Sequence, residues 1–234
     1  MAEGPAGKIV KIGVLALQGD FDLHAKALAR CGVQAVEVRK PEQLADVDGL
    51  VIPGGESTTL LKLMHEWGFV PALEKFHAEG RPIFGTCAGL ILLAREVESP
   101  KQFSLGLIDV GVERNAYGRQ RESFEARGSA TLDGRATPVE MVFIRAPRIR
   151  RMGAGVETLA AYRDEPVMAR QGSVLVATFH PELTDDPAVH EYFCAMVRKA
   201  RVGVRAAAEG EASLRKGVRA AADGEASLRS GRPA

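Results

Sequence analysis

Residues 82–90 have the sequence PIFGTCAGL, in which one short apolar run leads through Gly-x-Cys-x-Gly into another. The first run predicts a buried strand and the second a helix, with Cys87 on the sharp turn between them. The helix would direct its first amides and positive dipole end at the sulfur, which stabilises the nucleophilic thiolate. The segment therefore predicts a nucleophile elbow. The alternative is that Cys87 is only a small buried hydrophobe.

The chain around this turn alternates between β-branched runs and amphipathic stretches, which is typical of βαβ units around a parallel sheet. The first half contains predicted strands at residues 9–17, 33–38, 49–52 and 82–85. It contains predicted helices at residues 21–31, 58–67, 70–79 and 88–97. Because the strand runs are almost continuously apolar, we expect helices on both faces of the sheet.

The second half of the chain has strand-like runs without long helices between them, so part of the sheet is predicted to be antiparallel. These runs cover residues 107–112, 139–145, 157–162, 166–170 and 174–179. A last helix is predicted from Asp185 to about Lys199, with an aspartate cap and Pro187 in its first turn. The predicted fold is α/β, with a three-layer, mixed but mostly parallel sheet, in one domain over residues 1–201.

The end of the chain repeats one unit almost verbatim, GVRAAAEGEASLRK from Gly203 and GVRAAADGEASLRS from Gly217. Glycine recurs at every seventh position, which weakens a helix, and few large apolar residues remain to form a coiled coil. Residues 202–234 are therefore predicted to be a disordered, low-complexity tail.

The overall composition excludes several classes of protein. Hydrophobic residues make up 46% and the formal net charge is +1, so neither a nucleic-acid partner nor a membrane surface is expected. No apolar run approaches the roughly 20 residues that span a bilayer. The three cysteines, Cys31, Cys87 and Cys194, lie far apart and suggest neither a disulfide framework nor a zinc cluster. We expect a reducing, cytoplasmic location.

A cysteine nucleophile needs a base, and one of the five histidines stands apart. His180 follows the apolar run of residues 174–179, whereas the other four lie in predicted helices. Glu182 lies two residues further on and, in an extended segment, would point to the same side and orient the imidazole. A His-x-Glu pair alone is a weak signal, but with the elbow it predicts a triad of Cys87, His180 and Glu182.

A second glycine-rich turn occurs at residues 51–59, which have the sequence VIPGGESTT. It matches neither of the phosphate-binding patterns GxxxxGK[ST] and GxGxxG. Its glycines would expose backbone amides at the sheet edge where α/β proteins place their ligands. The amides of Gly55 and Ala88 are predicted to form an oxyanion hole. An ordinary turn with Ser57 as the helix cap is the alternative, and both can hold.

Together these motifs resemble those of the class I, or triad, glutamine amidotransferases, which have a flavodoxin-like fold. The full set of segments is similar to the glutaminase subunits of pyridoxal 5′-phosphate synthases. These segments are GVLALQGDF at 13–21, PGGESTT at 53–59, FGTCAGL at 84–90, RNAYGRQ at 114–120, FIRAP at 143–147 and FHPELT at 179–184. The resemblance covers about residues 8–200 and leaves the repetitive tail outside.

The resemblance implies the chemistry of each site residue. Cys87 would attack the side-chain amide of L-glutamine, His180 would pass a proton to the leaving ammonia, and Glu182 would support His180. The implied glutamine-binding residues are Gly55, Glu56, Ser57, Arg114, Ile144 and Arg145. Ammonia would pass to a separate, barrel-shaped synthase subunit, whose contact we expect to act through Gln18 on the oxyanion hole. No cofactor and no metal are expected.

Two other functions remain compatible with parts of this sequence. A cysteine hydrolase or peptidase on a similar fold would also use an elbow cysteine, but it leaves the PGGES and FIRAP segments unexplained. A non-catalytic, amidotransferase-like binding module is the other alternative. Such a module is expected to have lost a member of the triad, whereas all three residues are present here.

Overall fold

The computed structural model describes residues 9–114 and 123–203. The strands in these ranges are β1 Lys11–Leu15, β2 Gln34–Val38, β3 Gly49–Ile52, β4 Ile83–Thr86, β5 Ala94–Glu98, β6 Ile108–Glu113, β7 Ser123–Leu132, β8 Arg135–Ile144, β9 Arg148–Met152, β10 Glu157–Tyr162, β11 Glu165–Gln171 and β12 Val174–Ala177. The helices are α1 Phe21–Arg30, α2 Ser57–Glu66, α3 Phe69–Ala78, α4 Ala88–Leu93 and α5 over residues 188–203. Short 3-10 helices cover Pro41–Asp46 and Pro181–Leu183.

Within the described ranges the main sheet has nine strands in the order β2-β1-β3-β4-β12-β11-β10-β7-β8. Strands β2, β1, β3, β4 and β12 run parallel, and each pairing from β12 to β8 is antiparallel. Strands β5, β6 and β9 form a smaller sheet. The prediction of a mixed sheet is confirmed. Four of the parallel strands come from the first half of the chain, and β12 joins them from the second half.

Helices cover both faces of the parallel strands, as their continuous hydrophobicity predicts. Neighbouring residues of one strand belong to opposite cores, as Val51 and Ile52 do. The core that contains Val51 also receives Leu28 of α1 and Phe193 of α5. The core that contains Ile52 receives side chains of α2, α3 and α4, among them Leu60. The fold therefore has three layers, with the sheet in the middle.

The helix that follows the elbow is shorter than predicted. It ends at Leu93, and residues 94–98 form strand β5 instead of completing a helix to residue 97. All six residues of α4 are buried, whereas β5 has exposed charged residues at Arg95, Glu96 and Glu98. A buried helix cannot continue into such a stretch, which pairs with β6 in the smaller sheet.

Besides β5, the strands β7 and β9 were not predicted, and the boundaries of the last helix differ. Strand β7 pairs with β8 along its whole length through a turn at Asp133 and Gly134, both with positive φ. An Asp-Gly pair between strands is a strong hairpin signal, but the alternating polarity of β7 hides the strand from a search for apolar runs. Helix α5 covers residues 188–203 instead of about 185–199.

Some predictions concern residues that the structure does not describe. The segment 115–122 contains most of RNAYGRQ, and residues 204–234 contain most of the repetitive tail. The predicted disorder of the tail therefore stays a prediction. In the described part of the chain, no helix combines the length and apolar character needed to cross a membrane.

Candidate active site

The parallel strands bring four loops to one edge of the sheet. Strands β1, β3, β4 and β12 all end there, and their register aligns Ile52 with Gly85 and Ala177 with Thr86. The segments that follow these strands begin at residues 16, 53, 87 and 178. Because the carboxyl ends of parallel strands meet at one edge, the elbow and the predicted base become neighbours.

Cys87 lies on a strained turn between β4 and α4. Its φ is +47°, a region that non-glycine residues rarely adopt and that is often found at functional sites. The Cys87 amide donates to Ala177 O at 2.9 Å, which fixes the turn against β12. A Cβ at Gly89 would collide with Ile52 O, so a glycine is required where α4 approaches β3. The side chain of Cys87 is buried, with the residue 8% exposed.

His180 and Glu182 lie beside this cysteine. His180 Nδ1 and Glu182 Oε1 are 2.7 Å apart, and the His180 side chain also hydrogen-bonds to the Cys87 side chain. The His180 amide donates to Val142 O of β8 at 2.8 Å, which fixes the backbone. The expectation of an extended segment was wrong, because residues Pro181–Leu183 form a 3-10 turn. This turn nevertheless brings the imidazole and the carboxylate together.

The surroundings of the pair favour opposite charges on its two members. Burial opposes the charged form of His180, but its hydrogen bonds to Cys87 and Glu182 raise its pKa to about 10. Burial also opposes the Glu182 carboxylate, but the attraction of His24 and the His180 hydrogen bond hold the pKa of Glu182 well below its usual range. An imidazolium therefore faces the sulfur at neutral pH, as a thiolate nucleophile requires.

The PGGES segment closes the site on the β3 side. Gly54 packs against the triad so closely that a Cβ there would collide with His180 Cε1 and lie 3.4 Å from Cys87 Cβ. Gly55 has a φ of +147° and faces Gln18, whose Nε2 would lie 2.6 Å from a Cβ at Gly55. The structure thus places Gly54 against Cys87 and His180, and Gln18 against Gly55. Ala88, the first residue of α4, directly follows Cys87 and is fully buried.

Glu56, not Ser57, caps helix α2. Its carboxylate accepts from the amides of Thr58 at 3.0 Å and Thr59 at 2.7 Å, so the alternative of Ser57 as the cap is wrong. Burial raises the pKa of Glu56, but these hydrogen bonds outweigh it and lower the pKa to about 2. Ser57 is the first helical residue, and its hydroxyl donates to Gln102 Oε1 at 3.2 Å.

Arg114 joins the capped end of α2 from the end of β6. Its Nη2 donates to Thr58 Oγ1 at 3.0 Å and lies 3.7 Å from Glu56 Oε1. The Arg114 side chain is only 13% exposed, whereas that of Glu56 is 56% exposed. The two opposite charges therefore lie side by side beyond the glycine pair.

Ile144 and Arg145 approach the triad from the far end of the sheet. Ile144 is the last residue of β8, two positions after the Val142 carbonyl that accepts from the His180 amide. Arg145 is exposed and has a φ of +46°, another sparsely populated conformation for a non-glycine residue. The turn at Arg145 follows directly from the strand that supports His180.

Residues 14–199 match the model of the SNO glutamine amidotransferase family. The chain belongs to this family. A pyridoxal 5′-phosphate synthase subunit PdxT from Koribacter versatilis is 56% identical over 194 residues, which are 83% of this chain and 99% of the relative. Another, from Anoxybacillus flavithermus, is 52% identical over 193 residues, which are 82% of this chain and 100% of the relative. The resemblance found in the sequence motifs is thereby confirmed.

Solved structures give the same result for the fold. A crystal structure of a glutamine amidotransferase is 50% identical, with a TM-score of 0.73 over 80% of this chain and 98% of that one. A structure of PurLQS from Thermotoga maritima is 13% identical, with a TM-score of 0.57 over 84% of this chain and 99% of that one. The second likeness shows the fold alone. The α/β prediction is confirmed by both.

One cluster in this amidotransferase has the composition of a metal site. Asp20, His180 and Glu182 each place one potential ligand atom within 4.8 Å of the others. The Nδ1 of His180 and the Oε1 of Glu182 are already joined at 2.7 Å. The cluster is therefore explained by the hydrogen bond between His180 and Glu182, with the exposed Asp20 beside it.

Sequence reasoning missed one buried side chain at the site. His24 of α1 is 0% exposed, and its Nε2 lies 3.3 Å from Glu182 Oε2. The helical pattern of α1 buries His24, Ala27 and Leu28 on one face. A histidine at a core position of an amphipathic helix is the signal that could have revealed it, because buried polar groups need partners.

Proposed function

We propose that this chain is a glutaminase that hydrolyses L-glutamine to L-glutamate and ammonia and supplies the ammonia to a pyridoxal 5′-phosphate synthase subunit. The observation that carries the proposal is the buried contact of Cys87, His180 and Glu182, with the cysteine on a positive-φ elbow. The 50–56% identity to PdxT proteins and to a glutamine amidotransferase supports the choice of substrate.

The reaction proceeds through a thioester. The Cys87 sulfur attacks the amide carbon, and the negative charge on the oxygen is stabilised by the backbone amides of Gly55 and Ala88. The carbon–nitrogen bond then breaks while the His180 imidazolium gives its proton to the leaving nitrogen, which departs as ammonia. His180, now neutral, takes a proton from water, which attacks the thioester and releases glutamate. Glu182 keeps the imidazole oriented throughout.

Most of the proposed glutamine-binding residues lie at the glycine pair or just beyond it. A free amino acid presents an ammonium group and a carboxylate, which call for an acidic side chain and a guanidinium. Glu56 and Arg114 offer these charges beyond Gly55, and Arg145 offers a second guanidinium at the end of the strand whose Val142 carbonyl accepts from the His180 amide. We assign Gly55, Glu56, Ser57, Arg114, Ile144 and Arg145 to this subsite.

The partner follows from the relatives and from the chemistry of the product. The curated relatives are named as subunits of a pyridoxal 5′-phosphate synthase, so the acceptor of ammonia is the synthase subunit, which we expect to be barrel-shaped. A catalytic thiol functions in a reducing compartment, which supports a cytoplasmic location. The net charge of +1 supports neither a nucleic acid nor a membrane as a further partner.

The test is steady-state glutamate production by the purified chain, alone and with the synthase subunit. Cys87→Ala should abolish turnover, whereas the matched variant Cys31→Ala should retain it, because Cys31 lies at the far end of α1. Substantial ammonia release by Cys87→Ala would refute the triad. Hydrolysis of peptides in preference to glutamine would support the peptidase alternative, and no turnover even with the synthase would support the binding module.

A further inference from the structure

The carboxylate of Glu182 has a second partner behind the triad. Its Oε1 faces His180 Nδ1 at 2.7 Å, and its Oε2 faces His24 Nε2 at 3.3 Å. Within the described residues no hydrogen bond of good geometry reaches Glu182 Oε2, so the ion-pair contact with His24 is what faces this oxygen. The side chains of Glu182 and His24 are completely buried. A buried carboxylate oxygen with one polar neighbour depends on that neighbour for its orientation.

His24 is itself fixed on both sides of its ring. Its Nε2 also lies 3.2 Å from Thr86 Oγ1, and Thr86 directly precedes Cys87. Its Nδ1 lies 3.0 Å from His190 Nε2 of α5. The ring of Phe84 meets His24 edge-on, with 6.3 Å between centroids. His24 therefore cannot turn away from Glu182 without breaking contacts to two other elements.

The contacts of His190 and His24 place a proton on His24 Nε2. Burial and the proximity of His24 lower the pKa of His190 to about 3, so His190 is neutral. Its Nδ1 is buried without a partner among the described residues, which favours keeping its single proton on Nε2, where His24 can accept it. A neutral His24 then accepts at Nδ1 and carries its proton on Nε2, and a cationic His24 carries a proton on both nitrogens. In either state Nε2 directs a proton at Thr86 and Glu182.

We propose that His24 is a positioning residue of the glutaminase, holding the Glu182 carboxylate so that Oε1 stays on His180. The proposal rests on the glutaminase function proposed above. Removing the His24 Nε2 donor leaves a buried oxygen without compensation, and the carboxylate must turn or bind a proton to satisfy it. Either change weakens the hydrogen bond that orients the His180 ring. Substrate binding beyond the glycine pair involves neither histidine.

Glutamine and asparagine at position 24 would each keep a different contact of His24. In His24→Gln, the amide nitrogen can reach the place of Nε2 and donate to Glu182. In His24→Asn, the shorter amide reaches only the place of Nδ1, so it keeps the contact with His190 and loses the one with Glu182. Both substitutions put a polar amide in the same buried position. His77→Asn and His77→Gln are the matched controls, because His77 is a partly buried histidine on α3.

The experiment measures kcat and KM for glutamine with the full chain and the synthase subunit. Each preparation is titrated with a glutamine-analogue alkylating agent, so that kcat is expressed per reactive Cys87. Groups that orient a functional side chain typically contribute about 10-fold to 100-fold in activity. His24→Asn should lose about that factor in kcat with little change in KM. His24→Gln should recover most of it, and both His77 variants should match the wild type.

Further readouts separate a positioning role from a structural one. Proton NMR of the unliganded chain should show a downfield Nδ1–H resonance of His180 that is absent in His180→Gln, shifted in His24→Asn and restored in His24→Gln. The proposal is overturned if His24→Asn keeps the wild-type kcat per titrated site and the wild-type resonance. It is also overturned if only the number of titratable sites falls. A wild type without glutaminase turnover would refute the proposed function instead, and the NMR comparison would still decide the role of His24.

Discussion

Gln18 Oε1 accepts a hydrogen bond from the backbone amide of Glu56 at 3.1 Å, although the two residues are 38 positions apart. The same side chain lies against Gly55, with its Nε2 2.6 Å from where a Cβ would be. One glutamine in the loop after β1 therefore holds the loop after β3, which contains the proposed oxyanion donor. Any contact that moves Gln18 will also move Gly55.

This relationship predicts that the isolated chain is a poor glutaminase and that the synthase subunit activates it. Loss of one oxyanion donor typically costs about 100-fold to 1000-fold in turnover, so activation of roughly that size is expected when the Gly55 amide is brought into line. The measurement is steady-state glutamate production with and without saturating synthase. In Gln18→Ala the ratio between the two rates should change, whereas the exposed Gln34→Ala should behave as wild type.

Two results would contradict this mechanism in different ways. Full turnover without the partner would refute gating altogether, since the donors would already be aligned. A normal activation ratio in Gln18→Ala would leave gating intact but remove Gln18 from it. A tight strand-to-helix turn capped by Asp20 would predict no effect of the partner. The Asp20 side chain makes no capping hydrogen bond to α1, so the structure does not support such a turn.

The pH dependence of stability should report the charged His180. Its pKa rises from 6.5 to about 10 on folding, so the folded chain binds the extra proton between these values. The stabilisation is complete below pH 6.5 and is lost as the pH rises toward 10. Glu182 has the opposite sign, because its lowered pKa removes stability only as the pH falls below 4.5.

Thermal unfolding of the wild type and of His180→Gln between pH 5 and pH 10 would measure this effect. The melting temperature of the wild type should fall relative to the variant as the pH rises above 6.5. The difference between the two proteins removes contributions of other titrating groups. Parallel curves for the two proteins over this range would show that His180 has an ordinary pKa.

The parallel half of the fold could be predicted because its signals are local. The predicted bounds of strand β3 match the observed ones, since three apolar residues between Gly49 and Pro53 leave few alternatives. Strands β5 and β7 could not be found in the same way. Strand β7 pairs with β8, and β5 pairs with β6. These pairings stabilise two strands whose sequences mix polar and apolar residues and have no continuous apolar run.

At the site, too, residues with a local sequence signal could be predicted, whereas contacts between distant residues could not. The elbow was evident from spacing, and His180 from its place after a strand. The capping by Glu56 was missed because an acidic residue within a glycine-rich turn was interpreted as a ligand-binding group alone. The contact of His24 with Glu182 joins residues 158 positions apart. Neither the periodicity of a single sequence nor a short motif can predict a contact between residues so far apart.

The repetitive end of the chain should be dispensable for glutaminase turnover. Truncation after Arg201 should leave turnover and melting temperature nearly unchanged, since the repeat offers little apolar surface to bury. This cut keeps the contact of Arg201 with Asp48 at 3.6 Å. Truncation after Pro187 is the opposite control. It removes Phe193 and Val197, both fully buried, and should unfold the domain.

A large fall in melting temperature after the first cut would show that the repeat packs against the domain. Reduced activation by the synthase, with unchanged stability, would instead show that the repeat contacts the partner. The prediction of a dispensable tail fails in either case. The two measurements, melting temperature and activation ratio, distinguish these outcomes.

The sharpest steric prediction concerns Gly54. Its backbone is not in the left-handed region, so an alanine there is conformationally acceptable, but the added Cβ would collide with His180 Cε1. A displacement of about 1 Å in a reacting group can cost about 100-fold in rate, so Gly54→Ala should lower kcat by roughly that factor. Overpacking typically costs about 1–3 kcal/mol, which the domain should tolerate.

The assay is glutamate production with the synthase subunit, together with thermal unfolding of each variant. Gly203→Ala is the control, because a Cβ at Gly203 meets nothing within 4 Å. A wild-type kcat in Gly54→Ala would mean that the loop shifts to make room for the Cβ, or that His180 moves without loss of activity. In both cases the close packing is not needed for catalysis. If kcat falls but the melting temperature stays within a few degrees, the loss comes from the displaced imidazole, as the geometry of the site requires.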